Sequence, residues 1–154
     1  MFDIPQLTVI FTAMLPISEL RGAIPLALGV YKMSIPQAYL FAVLGNVVPV
    51  IFLLWFLDPV SKFLMKRSTI FNKFFIWLFE RTRRKHKEAI QKWGPVALIL
   101  FVAIPLPITG GWTGSVAAFV FGIPFKKALP LIFLGILIAG VIVILASLGV
   151  IKFF

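Results

Sequence analysis

The chain has 154 residues, of which 61% are hydrophobic and 13% charged, and its formal net charge is +10. Soluble domains carry about 25% charged residues, so this composition excludes an ordinary soluble domain and predicts a single membrane domain over residues 1–154. In a membrane protein, an excess of Lys and Arg is typical of cytoplasmic segments, so it does not indicate nucleic-acid binding.

The first hydrophobic region, residues 4–30, is interrupted in its middle. Proline removes a helical hydrogen bond, and glycine weakens the helix further. We therefore predict two short helical legs around a break, which would form a re-entrant hairpin. The interrupting residues are Pro16, Ser18, Glu19, Arg21, Gly22 and Pro25.

An uninterrupted apolar stretch follows over residues 34–57. A bilayer core needs about 20 apolar residues, so this stretch is predicted to be a transmembrane helix. Asn46 lies in its middle, close to Pro49. We expect Asn46 to make an interhelical hydrogen bond, and the alternative is that it lines a site.

The segment 58–93 mixes basic and aromatic residues. Such a mixture is typical of a cytoplasmic helix that lies on anionic lipid, and the alternative is a solvated basic loop. Its basic residues are Lys62, Lys66, Arg67, Lys73, Arg81, Arg83, Arg84, Lys85, Lys87 and Lys92.

The second half has the same order of segments. Residues 94–123 are predicted to be a second re-entrant hairpin, and residues 128–152 a second transmembrane helix. The second break contains Pro105, Pro107, Thr109, Gly110, Gly111, Thr113 and Gly114.

The topology follows from the basic residues on either side of the second hairpin. Lys126 and Lys127 should lie on the same cytoplasmic side as residues 58–93, so the chain must enter the membrane and return between them. Each leg would be about 21 Å long, too short for a core of ~30 Å. The alternative is a single kinked span, which would put both lysines outside.

The two halves also show weak internal similarity. Pro16 and Pro107 lie 91 residues apart, as do Arg21 and Trp112. Because the first hairpin would enter from outside and the second from inside, the halves are predicted to be inverted repeats, an arrangement common in transporters.

Glu19 and Arg21 are the candidate functional residues of the first break, together with Ser18 and Gly22. A charged group within the bilayer costs at least about 2.5 kcal/mol, so such residues usually line a cavity, form pairs or take part in function. Two alternatives remain: an ion pair that only holds the hairpin, or charges exposed to solvent.

The second break has no charged residue but is rich in small and hydroxyl residues. The amino terminus of the helix that follows, near Trp112 or Thr113, suits an anion such as a phosphate. The alternative is that the glycines only permit close helix packing. The candidate site residues here are Thr109, Gly110, Gly111, Trp112 and Thr113, and Ser115 adds a further hydroxyl.

Several chemistries lack their residues in this sequence. Cysteine is absent, and the single histidine, His86, lies in a basic run where a solvated residue is expected. We find no catalytic triad, no paired carboxylates and no phosphate-binding loop. The sequence therefore predicts no catalytic residue, no metal site and no cofactor.

The two breaks resemble a known prokaryotic family, the small multidrug export proteins, in the motifs Pro16-Ile17-Ser18-Glu19-Leu20-Arg21-Gly22-Ala23-Ile24-Pro25 and Pro105-Leu106-Pro107-Ile108-Thr109-Gly110-Gly111-Trp112-Thr113-Gly114. In layout the chain is also similar to the wider DedA and VTT group, which is linked to moving lipids across membranes. This resemblance implies that Glu19 holds the acidic position of the first hairpin. Those relatives tend to carry an arginine in the second hairpin, which is uncharged here.

The leading functional hypothesis is a transporter or flippase for an anionic amphiphile such as a lipid phosphate, with Glu19 exchanging a proton. The alternatives are an exporter of cationic drugs and a membrane scaffold that transports nothing. We expect a multi-pass protein of the cell membrane that contacts membrane lipids. A homodimer is also expected, because so few membrane segments make a thin wall around a pathway.

Overall fold

A computed structural model of the protein describes residues 3–84, 87–107 and 109–153. These residues form helices joined by short connections, with no strand among them, which confirms the all-α prediction. His86 lies outside the described residues. The helices are α1 (Ile4–Met14), α2 (Glu19–Pro25), α3 (Ile35–Arg67), α4 (Thr69–Phe79), α5 (Lys87–Ala103), α6 (Gly111–Phe121) and α7 (Phe125–Phe153), and π-helical segments Leu26–Val30 and Glu80–Arg84 follow α2 and α4.

Two helices are long and apolar enough to cross a membrane. α3 has 33 residues and α7 has 29, or about 50 and 44 Å at ~1.5 Å per residue, against a bilayer core of ~30 Å. Large apolar side chains such as Trp55 and Leu145 point outward. Exposed apolar surface is unfavourable in water, whereas contact with lipid chains removes this unfavourable free energy.

Helices α3 and α5 are longer than predicted. α3 continues past residue 57 to Arg67 and includes Pro59. A salt bridge of 2.6 Å between Asp58 and Lys62 supports the added turns, and the basic residues of the last turn interact favourably with the helix dipole. α5 begins at Lys87 rather than at residue 94. The segment 58–93 is therefore mainly helical.

Each predicted break separates two short helices. Residues 15–18 lie between α1 and α2, and residues 104–110 lie between α5 and α6. α1 and α6 have 11 residues each, about 16 Å, so neither could cross a bilayer core of ~30 Å.

Close backbone packing places the short helices against the long ones. A Cβ atom at Gly45 of α3 would lie 2.3 Å from the carbonyl oxygen of Ile10 in α1. At Gly135 of α7 a Cβ would lie 3.0 Å from the carbonyl oxygen of Ile99 in α5. Small residues therefore permit the same kind of contact in both halves.

The centre of the bundle is the contact between α3 and α7. The Tyr39 hydroxyl donates a hydrogen bond of 2.9 Å to the carbonyl oxygen of Leu137, and a Cβ at Gly140 would lie 2.6 Å from the Tyr39 ring. Two short helices contact the long helices of both halves: α2 packs on α7 as well as α3, and α6 packs on α3 as well as α7. This arrangement brings the two breaks together.

Candidate functional site

The two breaks meet around a small cavity of about 10 Å³. A cavity of this size holds about one water molecule. Glu19 and Arg21 line it from the first half together with Asn46, and Thr109, Gly110 and Gly111 line it from the second half. Six of the residues singled out in the sequence thus share one site, and that site is too small for a substrate in this structure.

The Glu19 carboxylate lies at the amino terminus of α6. Its Oε2 accepts a hydrogen bond of 3.3 Å from the amide of Gly111, and its Oε1 accepts one of 3.2 Å from the amide of Trp112. The side chain is only 5% exposed. The positive end of the helix dipole stabilises a carboxylate at this position. The sequence indicated the amino terminus of this helix as a site for an external anion, and here the carboxyl group of Glu19 occupies that position.

The backbone on both sides of this contact is special. Glu19 has a φ of +43°, in the left-handed region that few residues other than glycine adopt. Gly110 has a φ of +148°, and a Cβ there would lie 1.9 Å from Glu19 Oε2. A side chain at residue 110 would therefore displace the carboxylate.

Arg21 does not form a salt bridge with Glu19: among the described residues, the ion pair within 4.0 Å is the one between Asp58 and Lys62. Its Nη1 instead donates a hydrogen bond to the carbonyl oxygen of Leu106 in the second break. The guanidinium has five N–H donors, so most remain for other partners.

A second hydrogen bond runs in the opposite direction. The indole Nε1 of Trp112 donates to the carbonyl oxygen of Met14, at the end of α1, over 3.0 Å. One hydrogen bond therefore runs from α2 to the second break, and the other runs from α6 to the end of α1 beside the first break.

The hydroxyl groups of the second break have partners within their own segment. Thr109 Oγ1 donates to the carbonyl oxygen of Ile104 and accepts from the amide of Leu106 over 2.9 Å. Ser115 donates to Gly111 over 2.7 Å, and Thr113 donates to Gly110 over 3.4 Å. In this conformation these hydroxyls stabilise the break rather than face an open site.

Two other candidates pack beside this centre. A Cβ at Gly22 would lie 2.8 Å from the Cβ of Ser18, so these two residues meet within the first break. Of the break prolines, Pro105 lines the central cavity, whereas Pro16, Pro25 and Pro107 are exposed.

Asn46 is fully buried between α1, α3 and α6. Its Nδ2 donates an interhelical hydrogen bond of 3.4 Å to the carbonyl oxygen of Ala13. Its Oδ1 has no hydrogen-bond partner within the described part of the chain, and Asn46 lines the central cavity together with Glu19. A buried acceptor without a donor is unfavourable and needs an explanation.

Sequence reasoning missed the role of Arg83, which caps the other end of α6. Its Nη2 donates to the carbonyl oxygen of Phe119 over 2.8 Å, and its Nε donates to that of Val120 over 3.0 Å. The guanidinium also lies 4.2 Å from the centre of the Phe79 ring. Burial lowers the pKa of Arg83, and the charge of Asp58 opposes this change. Nothing in the basic run distinguishes Arg83 from Arg81 beforehand.

The two long apolar helices among the described residues indicate a helical membrane protein. The model of a family described as "Putative small multi-drug export protein" matches residues 19–142, so the chain belongs to that family, as the two motifs predicted. By its description this is a class of export proteins rather than of enzymes. No curated protein and no solved structure matches the chain. The similarity to the DedA and VTT group stays a prediction.

Proposed function

We propose that this protein is a proton-coupled transporter or flippase for an anionic amphiphile such as a lipid phosphate. The observation that carries the proposal is the Glu19 carboxylate on the amides of Gly111 and Trp112. These amides form an anion site inside an apolar bundle, and a side chain of the protein fills it. A substrate phosphate would compete with Glu19 for the same donors.

Protonation provides a way to exchange the two anions. A neutral carboxyl group accepts hydrogen bonds more weakly than a carboxylate, so protonation of Glu19 would release the amino terminus of α6. The new O–H group could donate to the unpartnered Oδ1 of Asn46. Arg21 and the freed amides would then hold the phosphate, and loss of the proton would restore the closed state.

Substrate binding requires the centre to open, because a cavity of about 10 Å³ does not admit a phosphate group. The contacts that must break are the hydrogen bonds from Arg21 to Leu106 and from Trp112 to Met14. Both join one break to the other, so opening would separate the two hairpins.

The proposed architecture is a pair of inverted repeats with re-entrant hairpins. The short lengths of α1 and α6 support it, as do the matching contacts at Gly45 and Gly135. We further propose a homodimer in the cell membrane, with residues 58–93 on the cytoplasmic side. Membrane lipids would then be both the surroundings and the source of the substrate.

Transport in liposomes tests the function. The purified protein would be reconstituted with a short-chain fluorescent phosphatidic acid, and movement between leaflets would be followed under an imposed pH gradient. We expect wild type to accelerate this movement and Glu19→Gln to reduce it to the level of protein-free liposomes. Glu88→Gln is the matched control, because Glu88 is exposed at the start of α5. A fully active Glu19→Gln variant would exclude the proton role.

The family description favours a second candidate, an exporter of cationic drugs that uses Glu19 as the binding charge. Both carboxylate oxygens already accept hydrogen bonds from amides, and Arg21 is two residues away, which makes the site less suitable for a cation. Resistance to quaternary ammonium compounds that is lost in Glu19→Ala would favour the exporter. If residues 70–88 mattered and Glu19 did not, the protein would instead be a scaffold.

A further inference from the structure

A much larger cavity, of about 790 Å³, is lined by residues between Phe79 and Leu131. It opens between the π segment Glu80–Arg84, the first turns of α5 and the corner that joins α6 to α7. None of its described lining residues also lines the central cavity. Its volume is in the range of about 300–1,000 Å³ that is typical of small-molecule sites.

The wall of this cavity is mostly apolar. Phe79, Pro95, Phe121 and Leu131 contribute to it from four different parts of the chain. Such a wall suits a hydrocarbon chain, because burial of apolar surface is favourable in proportion to its area.

Cationic groups lie at its polar edge. Arg83 and Lys127 line the cavity, and among the described lining residues they are accompanied by Gln91 and one acidic residue, Glu80. Two of the Arg83 N–H groups are bound to carbonyl oxygens of α6, and the other three remain for a ligand. Lys127 is exposed and forms no salt bridge within the described ranges. The charged side chains that line the cavity therefore favour an anion.

The residues next to this edge are of the types found at a membrane surface. Phe74 and Trp77 of α4 are about half exposed, and Arg81 lies over the Trp77 ring at 5.2 Å. Aromatic residues next to basic ones are typical of the region of lipid headgroups, and anionic lipids are concentrated in the cytoplasmic leaflet.

We propose that this cavity binds one anionic phospholipid, with the phosphate on Arg83 and Lys127 and an acyl chain along Phe121 and Leu131. The site is separate from the Glu19 centre and does not require transport to occur there. The bound lipid would also contact Arg83, which caps α6, so occupancy would favour the position of α6 seen here.

Native mass spectrometry of the full chain tests the proposal. The protein, delipidated in a neutral detergent, would be titrated with phosphatidylglycerol and, in parallel, with phosphatidylcholine. We expect one phosphatidylglycerol to bind preferentially, and Lys127→Gln to weaken it about tenfold, the effect of losing one charge-assisted contact. Lys126→Gln is the matched control, because Lys126 is also exposed but does not line the cavity.

A second variant tests the apolar wall without removing a charge. Gln91 is exposed and lines the cavity, so Gln91→Trp should fill it while leaving the core intact. We expect this variant to lose the bound lipid. Inorganic phosphate at millimolar concentration should not displace the lipid, since phosphate lacks the chain.

Four outcomes would overturn the proposal. The first is that Lys126→Gln and Lys127→Gln weaken lipid binding equally, and the second is that the two lipids bind equally well. The third is that inorganic phosphate displaces the bound lipid. The fourth is that the protein forms a dimer in the absence of lipid and that Gln91→Trp dissociates this dimer. The last would mean that a second copy of the chain fills the cavity. Because the measurement reads binding, its failure would leave the proposed function of Glu19 unaffected.

Discussion

Arg21 and Trp112 lie 91 residues apart in the chain and make reciprocal hydrogen bonds across the two breaks. Arg21 donates to Leu106 in the second break, and Trp112 donates to Met14 at the edge of the first. The two acceptors are 92 residues apart. Each half therefore donates one side-chain hydrogen bond to the other half.

The same two hydrogen bonds close the centre, so their loss should be measurable. Trp112→Phe keeps an aromatic ring but leaves the Met14 carbonyl without its donor. We expect a loss of about 1 kcal/mol in the free energy of unfolding, measured by thermal unfolding in detergent. Trp93→Phe is the control, because Trp93 is 61% exposed. Equal effects of the two substitutions would contradict a specific role for the Trp112 hydrogen bond.

Gly110 tests the contact between Glu19 and α6. Gly110→Ala puts a methyl group where the carboxylate lies, and it does so at a φ of +148°. We expect a lower unfolding temperature together with loss of transport in liposomes.

Gly149→Ala is the matched control, since nothing lies within 4 Å of a Cβ at that position of α7. It should be neutral or stabilising by up to about 1 kcal/mol, as for alanine in place of glycine within a helix. A Gly110→Ala protein as stable and active as wild type would mean that the Glu19 contact is dispensable.

Arg83 gives a prediction about the other end of α6. Arg83→Gln removes the donors to Phe119 and Val120 and the favourable charge at the carboxyl end of the helix, so we expect a loss of about 1–3 kcal/mol. Arg81→Gln removes the same charge from a neighbouring exposed position and should cost less than about 0.5 kcal/mol. Thermal unfolding of the two variants in parallel would show the difference, and similar losses would exclude a specific cap.

The membrane topology can be mapped directly, because the chain contains no cysteine. Single cysteines at Ser34, Thr69 and Phe125, all exposed, would be treated with a membrane-impermeant maleimide in intact cells. With re-entrant hairpins, Ser34→Cys should react from outside, and the other two only after permeabilisation. Reaction of Phe125→Cys from outside would indicate a single kinked span and exclude the second re-entrant hairpin.

The sequence predicted where both breaks occur because their causes are local, but the first break is shorter than predicted, since α2 begins at Glu19 and includes Pro25. Pro16, Pro105 and Pro107 lack backbone N–H groups, and each lies in a segment where the structure interrupts the helices. The ends of α3 and α5 were less predictable. Pro59 and Pro95 look like breaks as well, yet both lie inside helices.

The sequence by itself determined that this is an apolar helical chain with two interrupted regions, a buried acid among its few charges and a family motif around it. Only the tertiary structure decided the partners: Glu19 with the amides of α6, Arg21 with Leu106, and Arg83 with the far end of α6. Composition can be read directly from the sequence, and helix breaking depends on residues that are close together in it. These contacts, by contrast, join residues 36 to 93 positions apart. Which donor meets which acceptor is settled when the helices pack.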